Sequence, residues 1–235
     1  MQIHKLIICT LLLNCSQHSK DSFSNKHLEE VVIVNIDGLN REAISTLITE
    51  ITECSPRVIG LNVILETLRE KKIDLQLADA IKNAGNIVLV NSIENNKLIS
   101  SHPDFSNAAV AQGLANYGYS DNGDLYYEAF ESFEDKLLWS LPVVIVAQYN
   151  ADIGLRVLNE FSPNKEYHIE MTWSKQDLEI LNPEMIDCAR VQNKIILLGD
   201  LGPTTDPEYI INSAAEKEYG TVVLANIIGQ LLERK

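Results

Sequence analysis

The sequence predicts an α/β fold in which a mixed, mostly parallel sheet carries helices on both faces, giving three layers. Three short runs rich in Val, Ile and Leu, at 31–37, 57–65 and 86–92, lack the polar alternation of half-exposed strands. Strands have this composition when both faces are buried, which requires helices above and below the sheet. Two segments with helical periodicity separate the runs, and this β-α-β-α-β order predicts right-handed crossovers between neighbouring parallel strands.

The two intervening helices follow from the spacing of their apolar residues. The first, at 39–54, places apolar residues at i, i+3, i+4 and i+7, which forms one buried helix face. The second, at 73–85, ends at Gly85, which suits a left-handed C-terminal cap. Asn95 and Asn96 then predict a turn after the third strand.

The middle of the chain predicts a hairpin followed by a long apolar helix. Aromatic-rich runs at 113–120 and 125–130 flank the turn-forming residues 121–124, a pattern typical of a β-hairpin. The strongly apolar stretch at 140–161 predicts one helix, with Pro142 accommodated in its first turn.

The last third of the sequence predicts one edge strand, one buried strand and two helices. The alternating run at 167–173 indicates the edge strand, and 175–182 indicates a helix that Ser174 N-caps. The apolar run at 193–200 predicts the buried strand. The stretch at 221–234 predicts an apolar helix.

Composition and charge limit the classes of partner. The 235 residues include 33 acidic and 19 basic side chains, for a formal net charge of −14. No cluster of Lys and Arg occurs, so we expect no nucleic acid partner and no attachment to anionic lipid headgroups through a basic patch. The acidity is typical of a soluble surface. The alternative is an acidic face that receives a cation or a basic partner.

The N-terminal residues predict export. Residues 1–15 combine a short basic start with the apolar run LIICTLLL and end at Cys15, in a context that resembles a bacterial lipobox. That resemblance implies a lipid on Cys15 and membrane contact through it; the alternatives are a plain signal peptide or an uncleaved interfacial anchor. We therefore expect a signal segment at 1–15, a polar tether at 16–29 and a single domain at 30–235, anchored outside the cytoplasm in the periplasm or cell envelope.

Two cysteines fall in the predicted domain, Cys54 near the end of the first helix and Cys188 before a late strand. In an oxidising compartment they could form a disulfide, and the alternative is two buried free thiols. The cysteines and the five scattered histidines lack the spacing of zinc ligands, so we predict no metal site and no cofactor.

Six stretches occur in an order that resembles a known module. They are VVIVNID, SPRVIGLNVIL, DLQLADAIKNAGNIVLV, GLANYGYSDNG, NKIILLGD and GTVVLANIIGQLL. Together, over about residues 31–232, they resemble the type-two CHASE domain, an extracytoplasmic sensory domain of bacterial cyclases, histidine kinases and related receptors. The resemblance implies a sensory or ligand-binding domain without enzymatic activity.

The sequence departs from that family pattern in ways that bear on function. Asn62 stands where the family usually has Asp, and Thr221 begins a segment that replaces the usual Glu and His. Family members usually continue into transmembrane helices and a cytoplasmic output domain, which the sequence to Lys235 lacks. We therefore expect the chain to act through a separate membrane-bound receptor or envelope protein.

Polar side chains at the ends of predicted strands form the candidate ligand site. Asp37, Asn62 and Asp200 lie at or near the carboxyl ends of such strands, where doubly wound sheets bind ligands. Asn226 joins them if the last helix starts at that edge. These side chains could receive ligand hydroxyls, amines or a hard cation. The alternative is that they cap helices and satisfy loop backbone.

No catalytic residue is predicted. The sequence contains no G-x-S-x-G, H-E-x-x-H or G-x-G-x-x-G motif and no P-loop. We therefore predict a non-enzymatic sensor of an unknown small ligand. The alternatives are a ligand-free interaction or scaffold lipoprotein of the envelope and a divergent α/β hydrolase.

Overall fold

A computed structural model describes residues 27–121, 123–161, 168–170, 178–202, 206, 208–211 and 217–234. The signal segment with Cys15, most of the predicted tether and Ser174 lie outside these described residues. Within them, no helix combines the length and the hydropathy that a membrane span requires.

The described residues form fourteen strands and seven helices. The strands, in chain order, are β1 Val31–Asn35, β2 Val58–Leu61, β3 Ile87–Glu94, β4 Lys97–Ile99, β5 Ala111–Leu114, β6 Tyr117–Tyr119, β7 Leu125–Glu128, β8 Phe130–Phe133, β9 Lys136–Trp139, β10 His168–Glu170, β11 Glu179–Leu181, β12 Ile195–Gly199, β13 Glu208–Ile210 and β14 Lys217–Tyr219. The helices are α1 Arg41–Glu53, α2 Lys71–Ala84, α3 Pro103–Ser106, α4 Leu141–Tyr149, α5 Ala151–Glu160, α6 Cys188–Val191 and α7 Gly220–Glu233.

The central sheet has seven strands in the order β11-β1-β12-β2-β3, and both β4 and β5 pair with β3. Every pairing in this sheet is parallel except that of β3 with β4. The prediction of a mixed, mostly parallel sheet is therefore confirmed. Its apolar runs occupy the centre because strands there are covered on both sides.

Helices cover both faces of this sheet, as predicted. Along β1, Val31 and Ile33 contact a core built with α4, α5 and α7, whereas Val32 and Val34 contact a second core built with α1 and α2. This alternation follows from the two-residue period of a strand, and burial of both sets explains the unbroken apolar composition of the run. The result is the predicted three-layer arrangement.

Two local backbone conformations that the sequence predicts are confirmed. Gly85 has φ of +67° and ends α2 in the left-handed conformation. Asn95 and Asn96 both have positive φ and connect β3 to β4 as a tight hairpin. Such turns favour Asn because its short polar side chain tolerates the left-handed region.

The predicted helix at 175–182 is wrong where the structure describes it. Glu179–Leu181 form β11, which pairs in parallel with the outer edge of β1. Leu181 is fully buried in the core beneath the sheet, and Glu179 makes ion pairs with Arg190 and Lys194. The open edge of β1 therefore determines the conformation of this segment, overriding its helical spacing.

The predicted helix at 140–161 is two helices. Asn150 has extended backbone angles and separates α4 from α5, and its side-chain oxygen accepts hydrogen bonds from the backbone N–H groups of Asp152 and Ile153. This is an N-cap, so the chain restarts a helix at this position. Pro142 lies in the first turn of α4, as predicted.

The predicted hairpin forms, but its strands are shorter than the predicted runs at 113–120 and 125–130. β6 and β7 pair antiparallel, and β10 adds to β7 as the predicted edge strand of this small sheet. Gly113, however, belongs to β5 in the central sheet, where a Cβ atom would lie 2.5 Å from the Cα of Leu141. β8 and β9 form a further hairpin that the sequence analysis did not predict.

Two tertiary links hold the helices on the α1–α2 face. Cys54, after α1, forms a disulfide with Cys188 of α6, with 4.7 Å between their Cα atoms. Arg41 and Asp74, both buried, form an ion pair between α1 and α2, and Arg41 also donates to the Thr67 carbonyl at 2.7 Å. Burial alone would raise the pKa of Asp74, but hydrogen bonds and the charge of Arg41 outweigh it, so this pKa is lowered.

Candidate functional site

The sheet order brings three of the predicted site residues to one edge. β1, β12 and β2 are consecutive neighbours and all run in the same direction. Asp37 therefore follows the carboxyl end of β1, Asp200 that of β12 and Asn62 that of β2, on the same side of the sheet. This edge is where an open parallel sheet leaves a crevice for a ligand.

Asn35 holds two of the loops at this edge together. Its side-chain oxygen accepts hydrogen bonds from the backbone N–H of Asp37 at 3.0 Å and from that of Leu201 at 3.2 Å. A methyl group at Gly202 would lie 2.9 Å from a carboxylate oxygen of Asp37 and 2.9 Å from one of Asp200. The two carboxylates therefore flank the same glycine, which keeps the space between them open.

A cavity of about 450 Å³ lies beyond the carboxyl ends of β2, β3, β5 and β12. Its volume falls in the usual range for small-molecule sites, roughly 300–1,000 Å³. The described residues that line it combine acidic and polar side chains with apolar and aromatic ones. They are Asn62, Val63, Ile64, Val90, Ser92, Glu94, Ala115, Tyr117, Asp200, Asp206, Tyr209 and Gly220.

Hydrogen bonds connect the cavity wall to the start of α7. The side-chain N–H of Asn62 donates to Oγ1 of Thr221 at 2.9 Å, and the backbone N–H of Thr221 donates to Oδ2 of Asp206 at 2.8 Å. Asp206 thus satisfies a backbone donor in the first turn of α7, where a carboxylate also complements the helix dipole. The position of α7 is therefore coupled to residues that a ligand would contact.

Asp206 is a buried carboxyl group, and its burial disfavours the ionised form. It is only 5% exposed, and burial raises its pKa, as does the nearby charge of Asp200, although hydrogen bonds from Thr221 and Gly220 lower it in part. The folded state therefore binds the carboxyl proton of Asp206 more tightly than the unfolded chain does. It follows that the ionised carboxylate costs stability as pH rises through its pKa, and protonation at lower pH removes this cost.

Two tyrosines form the aromatic part of the cavity wall. The rings of Tyr117 and Tyr209 meet edge to face, with 4.9 Å between their centroids. Burial raises the pKa of Tyr209 to about 12, and burial followed by the charges of Tyr209 and Asp206 raises the pKa of Tyr117 well above its usual value. The hydroxyl oxygen of Tyr117 is buried and has no hydrogen-bond partner among the described residues.

Asn226, the fourth predicted site residue, is not brought to this cavity. α7 begins at Gly220, so Asn226 lies in the second turn, is 2% exposed and does not line the cavity. Its side-chain N–H donates to the carbonyl of Val222 in the same helix at 3.0 Å. Asp37 is exposed and lies beside Gly202, outside the described lining.

Asp206, Tyr117 and Tyr209 were not predicted as site residues. Tyr117 belongs to the aromatic-rich run at 113–120, whose pattern predicts a strand and does not indicate a ligand contact. Asp206 and Tyr209 belong to no recognisable motif, and no spacing in the sequence indicates that they line the same cavity as residues of β3. Asn35 carried the one usable signal, a polar residue at the end of an otherwise apolar strand.

Among the described residues, no three His, Cys, Asp or Glu side chains are placed to hold a metal ion together. The cavity instead offers carboxylates, a buried hydroxyl and two aromatic rings around a volume large enough for an organic molecule.

A family model described as "CHASE2 domain" matches residues 9–235 of the chain. Comparisons with curated proteins and with solved structures found no match.

Proposed function

The chain belongs to the CHASE2 domain family, whose members are extracellular sensory domains, and on this premise we propose that it senses a small ligand in the cavity at the sheet edge. The proposal is carried by one observation. The cavity is lined by Asn62 and Asp200 and also by Asp206, which hydrogen-bonds the first turn of α7. A ligand that contacts Asp206 would therefore act directly on a helix end.

The proposed output runs along α7. A ligand shifts a protein between two states only as far as it binds one of them better, so it must contact a group whose partner can move. Asp206 and Thr221 provide that contact at the start of the helix. Farther along α7, Gly229 packs against Leu28, where a Cβ atom would come 2.7 Å from Cδ2 of that leucine. Leu28 lies at the end of the predicted tether, residues 16–29, so a shift of α7 would reach the segment that connects the domain to its anchor.

Ligand binding should raise the melting temperature. At 100 times its Kd, a ligand stabilises the fold by about 2.7 kcal/mol, which corresponds to a rise of roughly 5–10 °C for a domain of this size. We expect at least one compound of a metabolite collection to cause this rise in differential scanning fluorimetry. Asp200→Asn should reduce it, because the amide keeps an oxygen for the Gly202 N–H but loses the charge.

The matched control for this experiment is Asp79→Asn. Asp79 is exposed and lies in the groove between α1 and α2, away from the cavity. The control should keep the full ligand response. A collection that leaves the melting temperature unchanged, together with recovery of one stable protein partner from membranes, would support the scaffold alternative and contradict a ligand-binding role.

The remaining part of the proposal concerns attachment. We propose that Cys15 carries a lipid, that the domain is held outside the cytoplasm by it and that a membrane-bound partner, separate from this chain, carries the signal inward. The lipobox-like context of Cys15 supports lipidation, and CHASE2 domains usually sit in membrane receptors.

Replacing Cys15 should release the protein from membranes. Without the thiol no thioether-linked lipid can form, and a domain anchored only by lipid then becomes extractable. In cells that express Cys15→Ser, we expect most of the protein to move from the membrane pellet to the soluble fraction. Cys9→Ser, a substitution within the apolar run, is the control and should stay in the pellet. Equal membrane retention of both variants would contradict lipid anchoring.

A further inference from the structure

The described residues that line the cavity carry negative charge and no positive charge. Glu94, Asp200 and Asp206 all contribute carboxylates, and none of the described lining residues is Lys, Arg or His. Glu94 is exposed at the rim, where it accepts a hydrogen bond from Ser92 at 3.1 Å, whereas Asp206 is buried. These carboxylates repel an anionic ligand and attract a cationic one, both at the exposed rim and in the buried part of the cavity.

The size of the cavity and the lack of a metal-binding cluster among the described residues favour an organic cation over a metal ion. A hard divalent cation needs six or more oxygens gathered at 2.0–2.6 Å, roughly, around one point. The described residues offer no cluster of three carboxylate, His or Cys groups with such convergence. A cavity of about 450 Å³ instead has room for an organic molecule of several atoms.

The uncharged part of the wall indicates the rest of the ligand. Val63, Ile64 and Val90 provide apolar contact, and the rings of Tyr117 and Tyr209 provide negative π faces that attract a cation. The buried hydroxyl of Tyr117 has no hydrogen-bond partner among the described residues. A buried hydroxyl without a hydrogen-bond partner lowers the stability of the fold, and a neutral oxygen atom of a ligand could accept a hydrogen bond from it.

We propose that the cavity binds a small organic amine in its protonated form, with the ammonium group between Asp200 and Asp206 and a short apolar body against the valine and tyrosine side chains. This inference rests on the proposed ligand-sensing function and specifies the chemical class of its ligand. The raised pKa of Asp206 supports it, because a bound cation offsets the cost of that buried charge. Dicarboxylates are disfavoured by the same negative groups.

Four-carbon probes of equal length test the charge requirement. They are 1,4-diaminobutane, 4-amino-1-butanol, 1,4-butanediol and succinate, each added to the purified full chain and followed by melting temperature and by isothermal titration calorimetry. We expect a saturable response to the two amines and none to the diol or to succinate. Asp206→Asn, whose amide oxygen can still accept the Thr221 N–H, should weaken amine binding by about tenfold or more.

Glu53→Gln is the charge-matched control. Glu53 is exposed at the end of α1, at the opposite edge of the sheet, and its removal should leave amine affinity unchanged. An equal loss of affinity in this variant would mean that net charge, and not the cavity, attracts the amines, which overturns the inference.

The remaining outcomes separate this inference from the proposed function. Binding of the diol or succinate that Asp200→Asn abolishes would keep the cavity as a sensory site and overturn the amine class. A response to calcium or magnesium chloride that exceeds the amine response would also overturn it, in favour of a metal site. If none of the probes and no compound of the metabolite collection binds or changes the melting temperature, both proposals are overturned.

Discussion

Removing the Cys54–Cys188 disulfide is expected to lower the free energy of unfolding by about 5 kcal/mol. The two residues are 134 positions apart, and the chain-entropy model assigns a loop of this length about that stabilisation, because the bond restricts the unfolded chain. For a domain of this size the loss corresponds to a fall of roughly 10–20 °C in melting temperature. Calorimetry of the Cys54→Ala/Cys188→Ala variant measures it.

Reduced wild-type protein is the matched control for this variant. Cys54 is only 9% exposed and packs against the core between the sheet and α1, so its replacement also removes some buried volume. Reduction leaves that volume in place. Wild-type protein in dithiothreitol should therefore melt close to, and slightly above, the double variant, whose own melting temperature should not respond to the reductant. A wild-type melting temperature that is equal with and without dithiothreitol would contradict the disulfide.

The central sheet could be predicted because its signal is local. β1, β2 and β12 are buried on both faces, and each is therefore a short run of branched apolar residues that no helix with one buried face would have. Their order could not be predicted in full. The β-α-β-α-β pattern predicts β1 beside β2, whereas β12 lies between them, and this insertion brings Asp200 to the same edge as Asp37 and Asn62. The same reasoning says nothing about which strands take the outer positions.

The errors come from elements that tertiary contacts determine. Glu179–Leu181 have an acceptable helical pattern, yet they form β11 because β1 offers an unpaired edge. Asn150 interrupts a continuous apolar stretch, and its capping role becomes visible only once α5 folds back on α4. There a Cβ atom on Gly154 would approach the Cα of Ala147 to 2.5 Å. Close backbone packing of this kind leaves little trace in hydrophobic periodicity.

The same distinction between local sequence signals and tertiary contacts applies to the candidate site. Asn226 was expected at the rim if the last helix starts there. α7 does start at the rim, where Gly220 lines the cavity, but Asn226 lies six residues farther along the helix and is buried in the core. The structure instead links the two positions at which the sequence departs from the family pattern. Asn62 donates to Thr221, and the Thr221 side chain hydrogen-bonds Asp206. An Asp at position 62 would have no N–H to donate, so the two departures are chemically compatible with each other.

Gly199→Ala is expected to cost about 3 kcal/mol and to disturb the ligand cavity at the same time. A Cβ atom at this position would lie 2.2 Å from Oγ1 and 2.4 Å from Cγ2 of Thr221, which real contacts do not allow. Either β12 or the first turn of α7 must move, and overpacking of a core by one methyl group costs about 1–3 kcal/mol. Urea unfolding measures the loss of stability, and amine titration measures the loss of binding.

A double-mutant cycle identifies the cause of that loss. Thr221→Ala removes the two atoms of the closest contacts, so Gly199→Ala should cost less in the Thr221→Ala background than in wild type, by about 1–2 kcal/mol. The double variant should still bind amines less tightly than wild type, because Asn62 has lost its acceptor. Additive effects on stability would show that the strain does not arise from the contact of position 199 with Thr221.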